Sequence, residues 1–131
     1  MAKKTLTKLQ QLGPCPPELS EAARAEWDRV IGELIAEERV TLLDRSVLSA
    51  YCVTFASWME AEALCRQYGP VIKSPSGYPV QSPYAIHANQ QRDAMLRCAA
   101  ELGLTPASRL KFPRRDSLRW GSMDDILPPL K

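Results

Sequence analysis

Four thiols, one imidazole and fifteen carboxylates are the groups in this 131-residue sequence that could carry chemistry, and their spacing decides what is open to them. The cysteines are Cys15, Cys52, Cys65 and Cys98, and no two form a C-x-x-C pair. A structural zinc takes four ligands at about 2.3 Å, usually delivered as close pairs. Cys52 and Cys65 fall in one stretch that reads as helix, roughly 20 Å apart at about 1.5 Å per residue, so they cannot share an ion. Buried, inert thiols are the reading this spacing supports. His87 is the only histidine. It has no serine or cysteine nucleophile motif to serve as base. Glu60 and Glu62 stand two apart on a helix and point to different faces. No glycine-rich loop ending in Gly-Lys-Ser or Gly-Lys-Thr is present to cradle a nucleotide. The expectation is a chain with no catalytic residues, no metal and no cofactor, which works by binding.

Charge points to what it binds. The net charge is +2, but it is unevenly placed. Residues 1–13 carry Lys3, Lys4 and Lys8 without an acid, and residues 14–68 are strongly acidic. The bases return at the end, where Arg109, Lys111, Arg114, Arg115 and Arg119 fall within eleven residues, with Phe112 and Trp120 among them. Lys and Arg neutralise phosphates and aromatic rings stack on bases, so these basic ends are candidate nucleic-acid contacts; a solvated basic tail is the alternative. The last residues, Asp124-Asp125-Ile126-Leu127-Pro128-Pro129-Leu130-Lys131, read as a linear docking segment in which Ile126, Leu127 and Leu130 supply the apolar contacts; a disordered end with no role is the alternative.

The elements that must position these groups read as helices. Ser20 is an N-cap for an amphipathic helix over about 20–38, with Ala23, Trp27, Val30, Ile31 and Leu34 on its apolar side. Thr41 with Asp44 resembles a capping box and opens a second helix over about 42–68, ended by Gly69-Pro70. Its apolar face is broad, running from Val47 and Leu48 through Tyr51, Phe55, Trp58 and Met59 to Leu64. Val71-Ile72-Lys73 and Tyr78-Pro79-Val80 flank Ser74-Pro75-Ser76-Gly77, so residues 70–82 form a short β-hairpin or an ordered loop. Ser82-Pro83 starts a third helix over 83–102, stopped by Gly103, and Thr105-Pro106 starts a helical turn near 106–111. The fold class expected is all-α. Residues 1–18 are an arm and linker, 19–111 a helical core and oligomerisation domain, and 112–131 an irregular tail.

Length permits one modest domain with a real core. No run approaches the roughly 20 apolar residues that span a bilayer, so no membrane partner is expected. The opening Met-Ala-Lys-Lys-Thr-Leu-Thr-Lys lacks the apolar run of a secretory signal. A reducing cytosol that keeps the cysteines as thiols is the expected compartment.

The order of these motifs carries a family resemblance. Pro17-Glu18-Leu19 leads into the helix bearing Ala23 and Trp27, and Leu42-Leu43-Asp44 opens the helix bearing Tyr51-Cys52 and Trp58. Ser76-Gly77-Tyr78-Pro79 precedes Ser82-Pro83, and Glu101-Leu102-Gly103-Leu104-Thr105-Pro106-Ala107-Ser108-Arg109 closes the run. Across about residues 14–110 the sequence resembles the small subunit of a phage terminase, in the family ending on Glu-Leu-Gly-Leu-Thr-Pro-x-x-Arg. That resemblance implies a homo-oligomeric ring that recognises the packaging site on double-stranded viral DNA. It also implies loading and regulation of the large terminase subunit, which holds the ATPase and nuclease, in the host cytoplasm of an infected bacterium. The broad apolar second helix has surface to spare for neighbouring protomers, and Tyr51, Phe55, Trp58 and Met59 are its expected interface residues. The alternative is a helix-turn-helix transcriptional regulator, motivated by the short Arg39–Leu43 connection between the first two helices.

Replacing Arg114 and Arg115 together by alanine is expected to weaken DNA binding evenly across sequences. The slope of log affinity against log salt should fall by about 2, at roughly 0.9 per lost phosphate contact. An unchanged slope in an anisotropy titration removes this segment from the DNA-binding surface.

Overall fold

Local chemistry sets each helix boundary. A computed structural model describes residues 12–111, and among these the first long element is α1, Glu21–Ala36. Ser20 Oγ accepts the Ala23 N–H at 3.3 Å and caps it. The helix stops two residues before the expected end, because Glu38 takes a left-handed φ of 55°. That turn lets Arg39 N–H reach Leu34 O and Glu38 N–H reach Ile35 O, each at 3.0 Å, satisfying carbonyls the helix end leaves open. Thr41 and Asp44 form the capping box, with Thr41 N–H on Asp44 Oδ2 at 2.8 Å. The first turn they open is a 3-10 turn, Leu42–Asp44, and α2 proper runs Arg45–Tyr68.

Of the two forms expected for residues 70–82, a short β-hairpin or an ordered loop, the structure has the hairpin. Strands β1, Val71–Lys73, and β2, Pro79–Gln81, pair antiparallel with Ile72 opposite Val80. Ser74 N–H on Tyr78 O and Gly77 N–H on Ser74 O, both at 2.8 Å, close the turn. Gly77 sits at φ 87°, which a side chain would oppose. In a two-stranded sheet both strands are edges, so Pro79 is tolerated. Ser82 N–H then bonds Pro70 O at 2.9 Å and delivers the chain into α3, Pro83–Leu102, with Ser82 as N-cap and Pro83 at the first position. Gly103, at φ 72°, turns the chain so that Leu104 N–H reaches Ala99 O at 2.9 Å. A final capping box between Thr105 and Ser108 starts α4, Pro106–Arg109, shorter than the expected 106–111.

These elements stack in a particular way. Leu48, Tyr51 and Cys52 from the start of α2 share one core with Met95, Ala99 and Leu102 from the end of α3, so the two helices run antiparallel. Helix α1 lays Trp27, Val30, Ile31, Leu34 and Ile35 on that end, and Leu12 docks there as well, at 2% exposure. Arg39 Nη1 donates to Gly103 O at 2.9 Å and ties the corner after α1 to the end of α3. Past Trp58 on α2 and before Met95 on α3, the buried residues are only Ala61, Ser82, Ala85 and Ala88. Small side chains let the two helices approach closely there, with no third layer from the described residues. The α2–α3 pair thus continues as a two-helix arm tipped by the hairpin.

Leu48 has 0% exposure at the centre of the three-helix end. Leu48→Ala is expected to lower unfolding stability by about 2–5 kcal/mol, read as a lower urea midpoint at an unchanged m-value. Gln90→Ala, on the exposed side of α3, is expected to stay within about 0.5 kcal/mol of the parent.

Candidate functional site

The thiols are arranged for packing. All four are free, Cys52 is fully buried, and burial pushes its thiol up to about 12, far from the thiolate that a nucleophile or metal ligand needs. Burial also raises Cys15. Among the described residues no three His, Cys, Asp or Glu side chains gather into a metal-binding group. His87 is exposed on α3, and Glu62 accepts the Trp58 indole N–H at 3.2 Å.

Among the described residues, the buried ionic group is the one that joins α1 to α2. Glu26 is 4% exposed, and its Oε1 accepts the Tyr51 hydroxyl at 2.7 Å. Arg29, one turn on, closes a fork on the same carboxylate, with Nε to Oε2 at 2.8 Å and Nη2 to Oε1. Burial by itself raises the Glu26 carboxyl, but the bonds from Arg29 and Tyr51 outweigh it and hold the group below its ordinary 4.5. The same contact raises Tyr51 and Arg29, the tyrosine first through burial and the arginine first through the Glu26 bond. Tyr51 is therefore a correction to the sequence reading. It was expected on an interface between protomers, yet at 4% exposure with its hydroxyl committed to Glu26 it faces the chain's own core. The other three expected interface residues stand further out. Phe55 and Trp58 are half-buried and meet edge to face at 6.1 Å, and Met59 is 44% exposed.

Of the expected DNA contacts, Arg109 and Lys111 are described, and both are exposed at the end of α4. Lys3, Lys4, Lys8, Arg114, Arg115 and Arg119 lie outside the described residues, as do Ile126, Leu127 and Leu130. The helix-turn-helix alternative finds little in α2. Its first two turns expose Ser46, Ala50 and Val53, with no donor or acceptor long enough to read base edges.

Three features are not legible in the sequence. Leu42 and Leu43, which read there as a helix start, stand 61% and 88% exposed at the corner between α1 and α2. The arm exposes Tyr68, Tyr78 and Tyr84, with Tyr68 and Tyr84 stacked at 5.4 Å. It also holds no carboxylate at all over residues 63–92, against the bases Arg66, Lys73 and Arg92. A charge profile cut at residue 68 hides this run, because it pools the end of α2 with the acidic start; a sliding sum finds it. An open groove of about 510 Å³ also runs between the start of α2 and the end of α3, lined by Val47, Ala50, Arg97, Cys98 and Glu101 among others.

Among the described residues, large apolar side chains stand exposed at the corner between α1 and α2 and along the arm. The family model described as "Phage terminase, small subunit" matches residues 23–117, which cover most of α1, all of α2 to α4, and the basic residues through Arg115. The chain belongs to the phage terminase small-subunit family, generally a non-catalytic subunit, and its role lies in phage genome packaging. Comparison with curated proteins and with solved structures returns no match. No helix among the described residues is long and apolar enough to cross a membrane.

The Glu26 cluster sets a pH dependence. Its folded value lies below the unfolded one, so its stabilisation is full above about 4.5 and is lost as pH falls through the lower folded value. Glu26→Gln is expected to flatten the acid limb of urea midpoint against pH while lowering the midpoint at neutral pH. An acid limb identical in parent and variant removes Glu26 from the pH response.

Proposed function

We propose that this chain recognises double-stranded viral DNA and, as a homo-oligomeric ring, loads and regulates the large terminase subunit during genome packaging in the host cytoplasm. The observation that carries the reading is the family match over residues 23–117. The physical arrangement supports it. Phe55, Trp58 and Met59 leave apolar surface on α2 for a neighbouring copy, and a copy number above one multiplies each weak basic contact into avidity. Arg109 and Lys111 present the start of a basic run that the sequence continues through Arg114, Arg115 and Arg119, and Lys3, Lys4 and Lys8 add a second one. The division of labour is that this subunit selects and positions, while the large subunit cuts and pumps.

The test is a binding competition. Purified protein is expected to retain labelled DNA from the packaging-start region of its phage against an excess of unrelated duplex, and equal competition by both contradicts site recognition. Deleting residues 124–131, with Ile126, Leu127 and Leu130, is expected to leave self-assembly intact and reduce capture of the large subunit at least several-fold in a pull-down. Undiminished capture removes the tail from that contact.

A further inference from the structure

The face of the α2–α3 pair that α1 covers continues along the arm without a cover among the described residues. On α2, Leu48, Cys52, Phe55, Met59 and Arg66 recur at three- and four-residue steps or their sum, and so share a face. On α3, Ala85, Arg92, Leu96 and Ala99 do the same. At the α1 end Leu48 and Cys52 are 0% exposed and Ala99 4%, but further out Met59 is 44% and Leu96 47% exposed. The exposed part is apolar in its middle and basic beyond: residues 63–92 hold Arg66, Lys73 and Arg92 and no carboxylate, although Arg92 pairs with the next residue, Asp93, at 3.7 Å.

The opposite character lies at the other end of the same chain. Residues 18–44, which hold α1 and the corner after it, carry eight acids against three bases. Glu33 and Glu37 are exposed near the end of α1, and Leu42 and Leu43 stand out beyond them at 61% and 88% exposure. Apolar residues beside acids at one end match apolar residues beside bases on the arm. The two patches are different surfaces, separated by about 24 Å along α2 from Leu43 to Met59. They cannot meet within one chain.

We infer that the arm face formed by Phe55, Met59, Leu96 and the flanking Arg66 and Lys73 is the seat for the Leu42–Leu43 corner and acidic α1 end of a second copy of this chain. The contact is head to tail. A heterologous contact of this kind passes from copy to copy and closes into a ring where the rotation permits. The inference rests on the assembly reading proposed above and specifies which surfaces carry it. Its charged part is weakened by salt, since exposed charges are screened over about 8–10 Å at ordinary ionic strength.

A charge swap tests it by sedimentation velocity on the full chain. Arg66→Glu with Lys73→Glu makes the arm acidic, and Glu33→Lys with Glu37→Lys makes the α1 end basic. The second variant gives up the Glu37–Arg39 ion pair (3.3 Å), while the Arg39 bond to Gly103 O remains to hold the corner. Circular dichroism first confirms that both variants keep the parent's helix content. Each variant alone is expected to lose most of the assembled species that the parent forms, and an equimolar mixture to recover it. Two outcomes overturn the inference while leaving ring assembly standing: variants that assemble like the parent, or a mixture that fails to recover. If the variants assemble normally but lose DNA, the arm meets nucleic acid instead. A parent that sediments as a single chain overturns the assembly reading itself, and the inference with it.

Discussion

At a rise of about 1.5 Å per residue, the 16-residue α1 spans about 24 Å, while the 24-residue α2 beneath it spans about 36 Å. The mismatch governs the rest of the fold. Where α1 lies, large apolar side chains fill a three-helix core from Trp27 to Leu102. Where it has ended, the α2–α3 seam narrows to Ala61, Ala85 and Ala88, because two helices alone bury large side chains only on the side where they touch. Among the described residues nothing covers the surface left over, and apolar area of this kind is what a further contact would bury.

The α1 layer is fixed in place by a group that stability alone would not favour. A buried carboxylate is costly unless its lone pairs are met, and Glu26 meets them with the Arg29 fork and the Tyr51 hydroxyl. A helix packed by apolar contacts can slide or rotate by a fraction of a turn at modest cost. A hydroxyl-to-carboxylate bond between α1 and α2 allows one register only. The same bond decides what remains outside: by drawing Tyr51 inward it leaves Phe55, Trp58 and Met59 as the aromatic and thioether surface that continues outward.

The element boundaries were legible in the sequence because they are made by neighbours. Ser20, Thr41 with Asp44, Ser82 with Pro83, and Thr105 each satisfy a backbone group within three residues, so their chemistry is local. Glu38 was not legible, since a non-glycine residue rarely takes a left-handed turn, and it ended α1 early. The rotation of α2 was not legible either. A helix apolar over half its circumference does not say which side meets its own chain, and only packing against Glu26 placed Tyr51 inside. The exposed Leu42 and Leu43 were hidden for a related reason: next to a capping box, leucine reads as a helix start whichever way it points. The family, by contrast, was readable from the ordered motifs ending at Arg109, because its signature lies in sequence order and needs no knowledge of packing.

We propose that this chain completes its structure by meeting copies of itself, so that one acidic end and one basic arm become a repeating contact. Multi-angle light scattering of the purified chain at micromolar concentration is the decisive measurement: a chain that assembles with itself shows a single species whose mass is a whole multiple of 14.6 kDa well above two. A species of 14.6 kDa that persists as concentration is raised contradicts it.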